Sequence, residues 1–89
     1  MKSKASKSFW RLYYALPIAV QQQAQRAHQL WRENPSYPAL QFKQVKQTVP
    51  PLYSVRIMNT GYRALGELEG DIVTWRWIGP HDEYLRLLR

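Results

Sequence analysis

The sequence predicts an α+β fold: an N-terminal helical hairpin packed on one face of an antiparallel sheet of about four strands. Three observations carry that prediction. Apolar residues recur at helical spacing between residues 8 and 34, strand-like alternation takes over from residue 40, and breaks containing Gly or Pro punctuate the second half. With 89 residues, 1–89 reads as one domain with a thin core.

Residues 1–7 are polar and basic and read as a loose arm or a short edge strand. "SFWRLYYAL", 8–16, reads as a first helix: Ser8 is the expected N-cap, and Phe9, Leu12, Tyr13 and Leu16 fall on one side. Pro17 suits the first position of a second helix. Val20, Ala24, Ala27, Leu30 and Trp31 form its apolar stripe, and "ENP" stops it, because the residue before Pro35 is pushed out of the helical region.

"NPSYP" is a loop, and "LQFKQVK", 40–46, places Leu40, Phe42 and Val45 roughly inward with Lys43 and Lys46 near solvent. After the "QTVPP" loop come strands over 53–58 and 62–68, joined through Asn59-Thr60-Gly61. "LEGD" turns the chain into "IVTWRWI", 72–78, a strand rich in β-branched and aromatic residues that Gly79-Pro80 ends. "HDEYLRLLR" reads as a last helical turn or an extended tail.

Strand parity places chemistry on the sheet. Tyr53, Val55 and Ile57 share one face, as do Tyr62, Ala64, Gly66 and Leu68; this face should lie under the helices. The opposite face then displays Arg56 and Arg63 together, with Arg76, opposite to Val73, Trp75 and Trp77 in its own strand, as a third member. Neighbouring guanidinium groups repel unless an anion sits between them, and their planar donors suit phosphate oxygens. The competing reading pairs Arg56 with Glu67 in a surface salt bridge.

The charge distribution points the same way. The net charge is +7, and residues 1–63 hold ten Lys or Arg against one acid, Glu33. Such a surplus implies a polyanionic partner: nucleic acid, an acidic protein or an anionic surface. Cysteine is absent, which excludes disulfides and thiolate metal sites and fits a reducing cytoplasm. His28 and His81 are far apart in sequence, and no metal or cofactor is expected. Arg11 and Pro17 interrupt the N-terminal apolar residues, so neither a signal peptide nor a membrane span is expected there.

The element order, with "NPSYPALQFKQV", "YSVRI", "GYRALG", "DIVTWRWIG" and "HDEY", resembles the RelE/ParE superfamily of bacterial type II toxins across nearly the whole chain. The resemblance implies a RelE-like fold similar to a microbial ribonuclease, and a metal-independent endoribonuclease that cuts mRNA in the ribosomal A site. It also implies a cognate antitoxin, lying over the basic sheet or the helical hairpin, with a heterotetramer as one form of the assembly. It implies catalytic roles for Arg56, Arg63, His81 and Tyr84, and with that mechanism the basic residues Lys43, Lys46 and Arg76 are expected to contact the RNA backbone. For His81 the structural alternative is a solvated turn residue beside Asp82; for Tyr84 it is a core-capping aromatic. ParE-like relatives inhibit DNA gyrase by protein binding and need no catalytic His or Tyr, and a degenerate antitoxin-binding module is a third reading.

Overall fold

The computed structural model describes residues 1–89 and contains five strands and three helices. They follow as β1 (Lys2–Ala5), α1 (Lys7–Tyr14), α2 (Ile18–Glu33), β2 (Lys43–Lys46), β3 (Leu52–Ile57), β4 (Tyr62–Glu69), β5 (Ile72–Pro80) and α3 (His81–Leu87). One sheet runs in the order β1-β5-β4-β3-β2. It is antiparallel except at its edge, where β1 lies parallel to β5. Of the two readings of the N-terminal arm, the short edge strand is the one found, and it makes a fifth strand beside the four read from residue 40 onward.

That strand also resets the start of α1. The Ser6 N–H still donates to the Trp75 carbonyl at 3.0 Å, continuing the β1–β5 ladder. The chain then turns at once into the helix, with Ser6 Oγ accepting from the Phe9 N–H at 3.1 Å. The N-cap is thus Ser6, where the pattern alone favours Ser8.

Pro17 stands one position before α2, as its N-cap, and supplies no capping side chain. Gln21 compensates for the tight hairpin: its Nε2 donates to the Leu16 carbonyl at 2.9 Å, beyond the end of α1. Gln25 Nε2 donates to Tyr13 Oη at 2.9 Å, and Tyr13 Oη donates to the Gln21 carbonyl at 3.3 Å. These bonds tie α2 back to α1.

The expected stripe of α2 is the one buried, through Val20, Ala24, Ala27 and Trp31. α1 packs on β5 and α2 on β3. The core lies between these helices and the sheet, built around Trp31, Leu40, Val55, Ile57, Val73, Trp75 and Ile78. Burying each of its Val, Leu and Ile side chains contributes about 1.5–3 kcal/mol relative to exposure.

The parity of β3 and β4 holds, with Val55 opposite Ala64 and Ile57 opposite Tyr62. β5 departs from simple alternation. Leu65 pairs with Trp77 but Gly66 pairs with Trp75, so Arg76 is an extra residue in a β-bulge. Beyond it the faces exchange. Val73, Trp75 and Ile78 point into the core, whereas Trp77 joins the outer face, contrary to the uninterrupted alternation read from the sequence.

The outer face is also not bare. α3 leaves the end of β5 and packs against β5 and β4, burying Tyr84. The C-terminal residues thus form a helix that covers part of the sheet. No helix is long and apolar enough to cross a membrane.

Candidate functional site

The site begins with register. Arg56 on β3 stands directly opposite Arg63 on β4, and Arg63 stands opposite Gly79 on β5. Like charges across a strand pair are unfavourable, so a fold that keeps them together leaves an anion-ready surface. Arg56 is exposed. The single ion pair of the molecule joins Arg76 Nε to Glu67 Oε1 at 2.6 Å, leaving Arg56 and Arg63 without a carboxylate partner.

Arg63 is half-buried and held on two sides. Its Cζ lies 5.1 Å from the centroid of the Tyr84 ring, a cation–π geometry. Its Nη2 donates to Gln41 Oε1 at 2.7 Å. Its Nη1 is buried and has no hydrogen-bond partner. The Nε1 atoms of Trp31 and Trp75 are buried and unpaired in the same way, so this orphan marks a desolvation cost and not an open ligand position.

Tyr84 is fixed in turn. Its hydroxyl donates to Ser54 Oγ at 3.3 Å, and Ser54 is fully buried on the outer face of β3. The His81 ring stacks on Tyr84, at 5.5 Å between centroids and 27° between planes. His81 itself is exposed at the start of α3, where its N–H donates to the Gly61 carbonyl at 3.1 Å. Arg63, Tyr84 and His81 therefore form one continuous contact chain, with Arg56 beside it in the sheet.

The remaining basic residues are more dispersed. Lys43 pairs in register with Ser54, which puts it on the outer face, exposed. Lys46 Nζ donates to the Leu87 carbonyl at 3.5 Å, a cation at the end of α3. Arg76 sits in the bulge, three residues before Gly79 in the chain, engaged by Glu67. Glu67 thus pairs with Arg76 and not with Arg56.

Three contributors escape the sequence reading: Gln41, Ser54 and Trp77. A Cβ on Gly79 would lie 2.5 Å from Trp77 Cζ2, so the indole lies flat over that glycine next to Arg63's position. Trp77 could have been found only by locating the bulge. Gln41 and Ser54 are ordinary polar residues whose sequence neighbours give no sign of their partners.

His28 belongs to the opposite side. Its Nε2 is 2.7 Å from Ser3 Oγ, and its ring stacks on Trp31. Burial, and secondarily the nearby Arg32 charge, holds its pKa below the usual 6.5. A cavity of about 360 Å³ also lies there, between α1, α2 and the sheet. Its lining is dominated by core aromatics such as Phe9, Trp31 and Trp75, and none of the clustered arginines takes part. No three His, Asp or Glu side chains gather into a metal-binding group.

No protein-family model matches the sequence, and no curated protein matches it. Solved structures do. A chain of the RelB–RelE antitoxin–toxin complex from Methanococcus jannaschii superposes with a TM-score of 0.72 at 16% identity, over 97% of this chain and 99% of that one. A chain of the archaeal RelE–RelB complex from Pyrococcus horikoshii OT3 gives 0.70 at 16% identity, over 89% and 92%. The isolated E. coli RelE toxin gives 0.65 at 14% identity, over 99% and 98%. The fold is that of the RelE toxins, and it extends over essentially the full length of both chains.

Proposed function

We propose that this chain is the toxin of a type II toxin–antitoxin pair and a metal-independent endoribonuclease that cleaves mRNA, on the ribosome, in the cytoplasm. The observation that carries the reading is the Arg56–Arg63 cross-strand pair, without a carboxylate partner, with Arg63 linked to His81 through the Tyr84 ring. The RelE fold supports the toxin assignment and a cognate antitoxin as partner, since two of the matching structures are complexes of RelE with RelB.

In this reading the 2′-oxygen of the RNA attacks the adjacent phosphorus and the bond to the 5′-oxygen breaks. The products are a 2′,3′-cyclic phosphate and a 5′-hydroxyl. Arg63 and Arg56 stabilise the negative charge that develops on the phosphorane oxygens. His81, exposed at the helix start, moves a proton between the 2′-hydroxyl and the leaving oxygen. Tyr84 contributes its ring, because its hydroxyl is buried and committed to Ser54. Lys43 and Lys46 hold the RNA backbone, and Arg76 contributes less because Glu67 already neutralises it.

Inducible expression with transcript mapping tests this. The wild-type chain should arrest growth with cut transcripts, and Arg63→Ala should abolish both while the folded protein and its antitoxin complex persist. Gyrase-linked DNA breaks with intact transcripts would instead establish the gyrase-directed reading. Growth arrest undiminished by Arg63→Ala would overturn the assigned role.

A further inference from the structure

We infer that Gln41 is a positioning residue that aims the Arg63 guanidinium without neutralising it; the catalytic part of this inference rests on the ribonuclease reading. Gln41 has φ 46° and ψ 42°, a left-handed conformation that a residue with a Cβ adopts reluctantly and glycine adopts freely. It is not a free loop residue. Leu40, fully buried before it, anchors one side, and Phe42, packed against Trp31 and Tyr53, anchors the other. The strained backbone is therefore firmly mounted, and its exposed side chain is spent on one contact, the 2.7 Å bond from Arg63 Nη2.

That bond settles what Tyr84 cannot. The ring holds the guanidinium carbon 5.1 Å from its centroid, a contact that gives the individual N–H groups no direction. The hydrogen bond that Nη2 donates to Gln41 supplies that direction. The chemistry of the acceptor matters equally. A carboxylate at position 41 would bind Arg63 more strongly, but it would discharge the cation and repel phosphate. A carboxamide oxygen accepts the bond and leaves the full positive charge available. Glycine, the residue the backbone favours, would provide no acceptor at all.

The test uses the full-length protein with Gln41→Gly and Gln41→Glu variants. Three readouts are taken: thermal melting, cleavage of mRNA on programmed ribosomes under single-turnover conditions, and ¹⁵N NMR of the arginine side chains. Gln41→Gly should melt at the wild-type temperature or above, because the left-handed strain is relieved. Its maximal cleavage rate should fall about 10–100-fold, as expected for a misaimed group, with a much smaller change in the half-saturating concentration of programmed ribosomes. Gln41→Glu should also stay folded, but its loss should appear chiefly in RNA affinity, with the salt slope reduced by about one.

The NMR readout is independent of catalysis. Arg63 should show two resolved Nη signals in the wild type and exchange-averaged signals in Gln41→Gly. Identical Arg63 spectra in the two proteins, or wild-type cleavage by Gln41→Gly, would overturn the positioning role. If the NMR difference is seen but the wild-type chain cuts no mRNA on programmed ribosomes, Gln41 stays the residue that orients Arg63 and the ribonuclease reading is overturned instead.

Discussion

The Arg63 guanidinium lies 5.1 Å from the centre of the Tyr84 ring, so the last helix supplies the platform for a cation carried by the middle of the sheet. The ring and the hydroxyl of Tyr84 do different work, and they can be separated. Tyr84→Phe keeps the platform and loses only the 3.3 Å bond to Ser54. It should cost about 0.5–1.5 kcal/mol in urea unfolding and retain most of the RNA cleavage. Tyr84→Ala removes a buried aromatic, should cost about 3–5 kcal/mol, and should abolish cleavage. A Phe variant as inactive as the Ala variant would make the hydroxyl a proton-transfer group after all.

The two outward arginines of β3 and β5 should behave oppositely. Arg56 is exposed and faces Arg63 across the strands, so Arg56→Ala removes a repulsion. Stability should stay level or rise by about 0.2–1 kcal/mol, while RNA affinity falls and the salt slope drops by about one. Arg76→Ala breaks the exposed pair with Glu67 at a cost of about 0–1 kcal/mol and should change RNA affinity far less. Affinity titrations at two or more salt concentrations separate them, and equal losses from both variants would contradict the placement of the patch around Arg63.

Much of this arrangement is legible in the sequence because it rests on period. The apolar stripe of α2 and the alternation of β3 and β4 put Trp31, Val55 and Ala64 inward and Arg56 and Arg63 outward, as found. What is not legible depends on single residues or on distance along the chain. The bulge at Arg76 leaves no trace in composition, yet it moves Trp77 to the other face. β1 is legible only as one of two options for residues 1–7, because it carries lysines where a strand pattern would show apolar residues; an edge strand needs only its ladder with β5. α3 has seven residues, too few for periodicity to establish a helix, and its place is set by Tyr84 meeting Ser54, thirty residues away.

The two buried glycines make a paired test of that geometry. A Cβ on Gly66 would meet Val73 Cγ1 at 2.5 Å and Trp75 Cε3 at 2.8 Å, both in the packed core. Gly66→Ala should therefore destabilise by about 1–3 kcal/mol, read by thermal or urea unfolding. At Gly79 the obstacle is the ring of Trp77, which is half-buried and shares a shallow outer groove with Glu83, Arg86 and Leu87. That ring has room to swing away, so Gly79→Ala should cost less stability than Gly66→Ala. Its effect should fall on RNA cleavage, because Gly79 is the cross-strand neighbour of Arg63. A reversed order of stabilities would place Trp77 in a rigid core instead of on a yielding face.

His28 links pH to stability from the side of the molecule away from the arginines. Its pKa in the folded chain is held below the usual 6.5, first by burial and then by the Arg32 charge. As pH falls below 6.5, the unfolded chain takes up the proton before the folded chain does. The unfolded state then binds more protons, so folding stability decreases as the pH drops. The loss stops accumulating once the folded His28 is protonated as well. The bond to Ser3 Oγ at 2.7 Å joins β1 to α2, so the first motion on acidification should be at that edge. His28→Gln removes the titration and keeps a polar side chain facing Ser3. Melting temperatures measured from pH 7.5 to 5 should fall more steeply for the wild type than for His28→Gln, with faster amide exchange in β1 of the wild type at the acid end. Parallel melting curves for the two proteins over that range would mean that His28 carries no folding-linked proton.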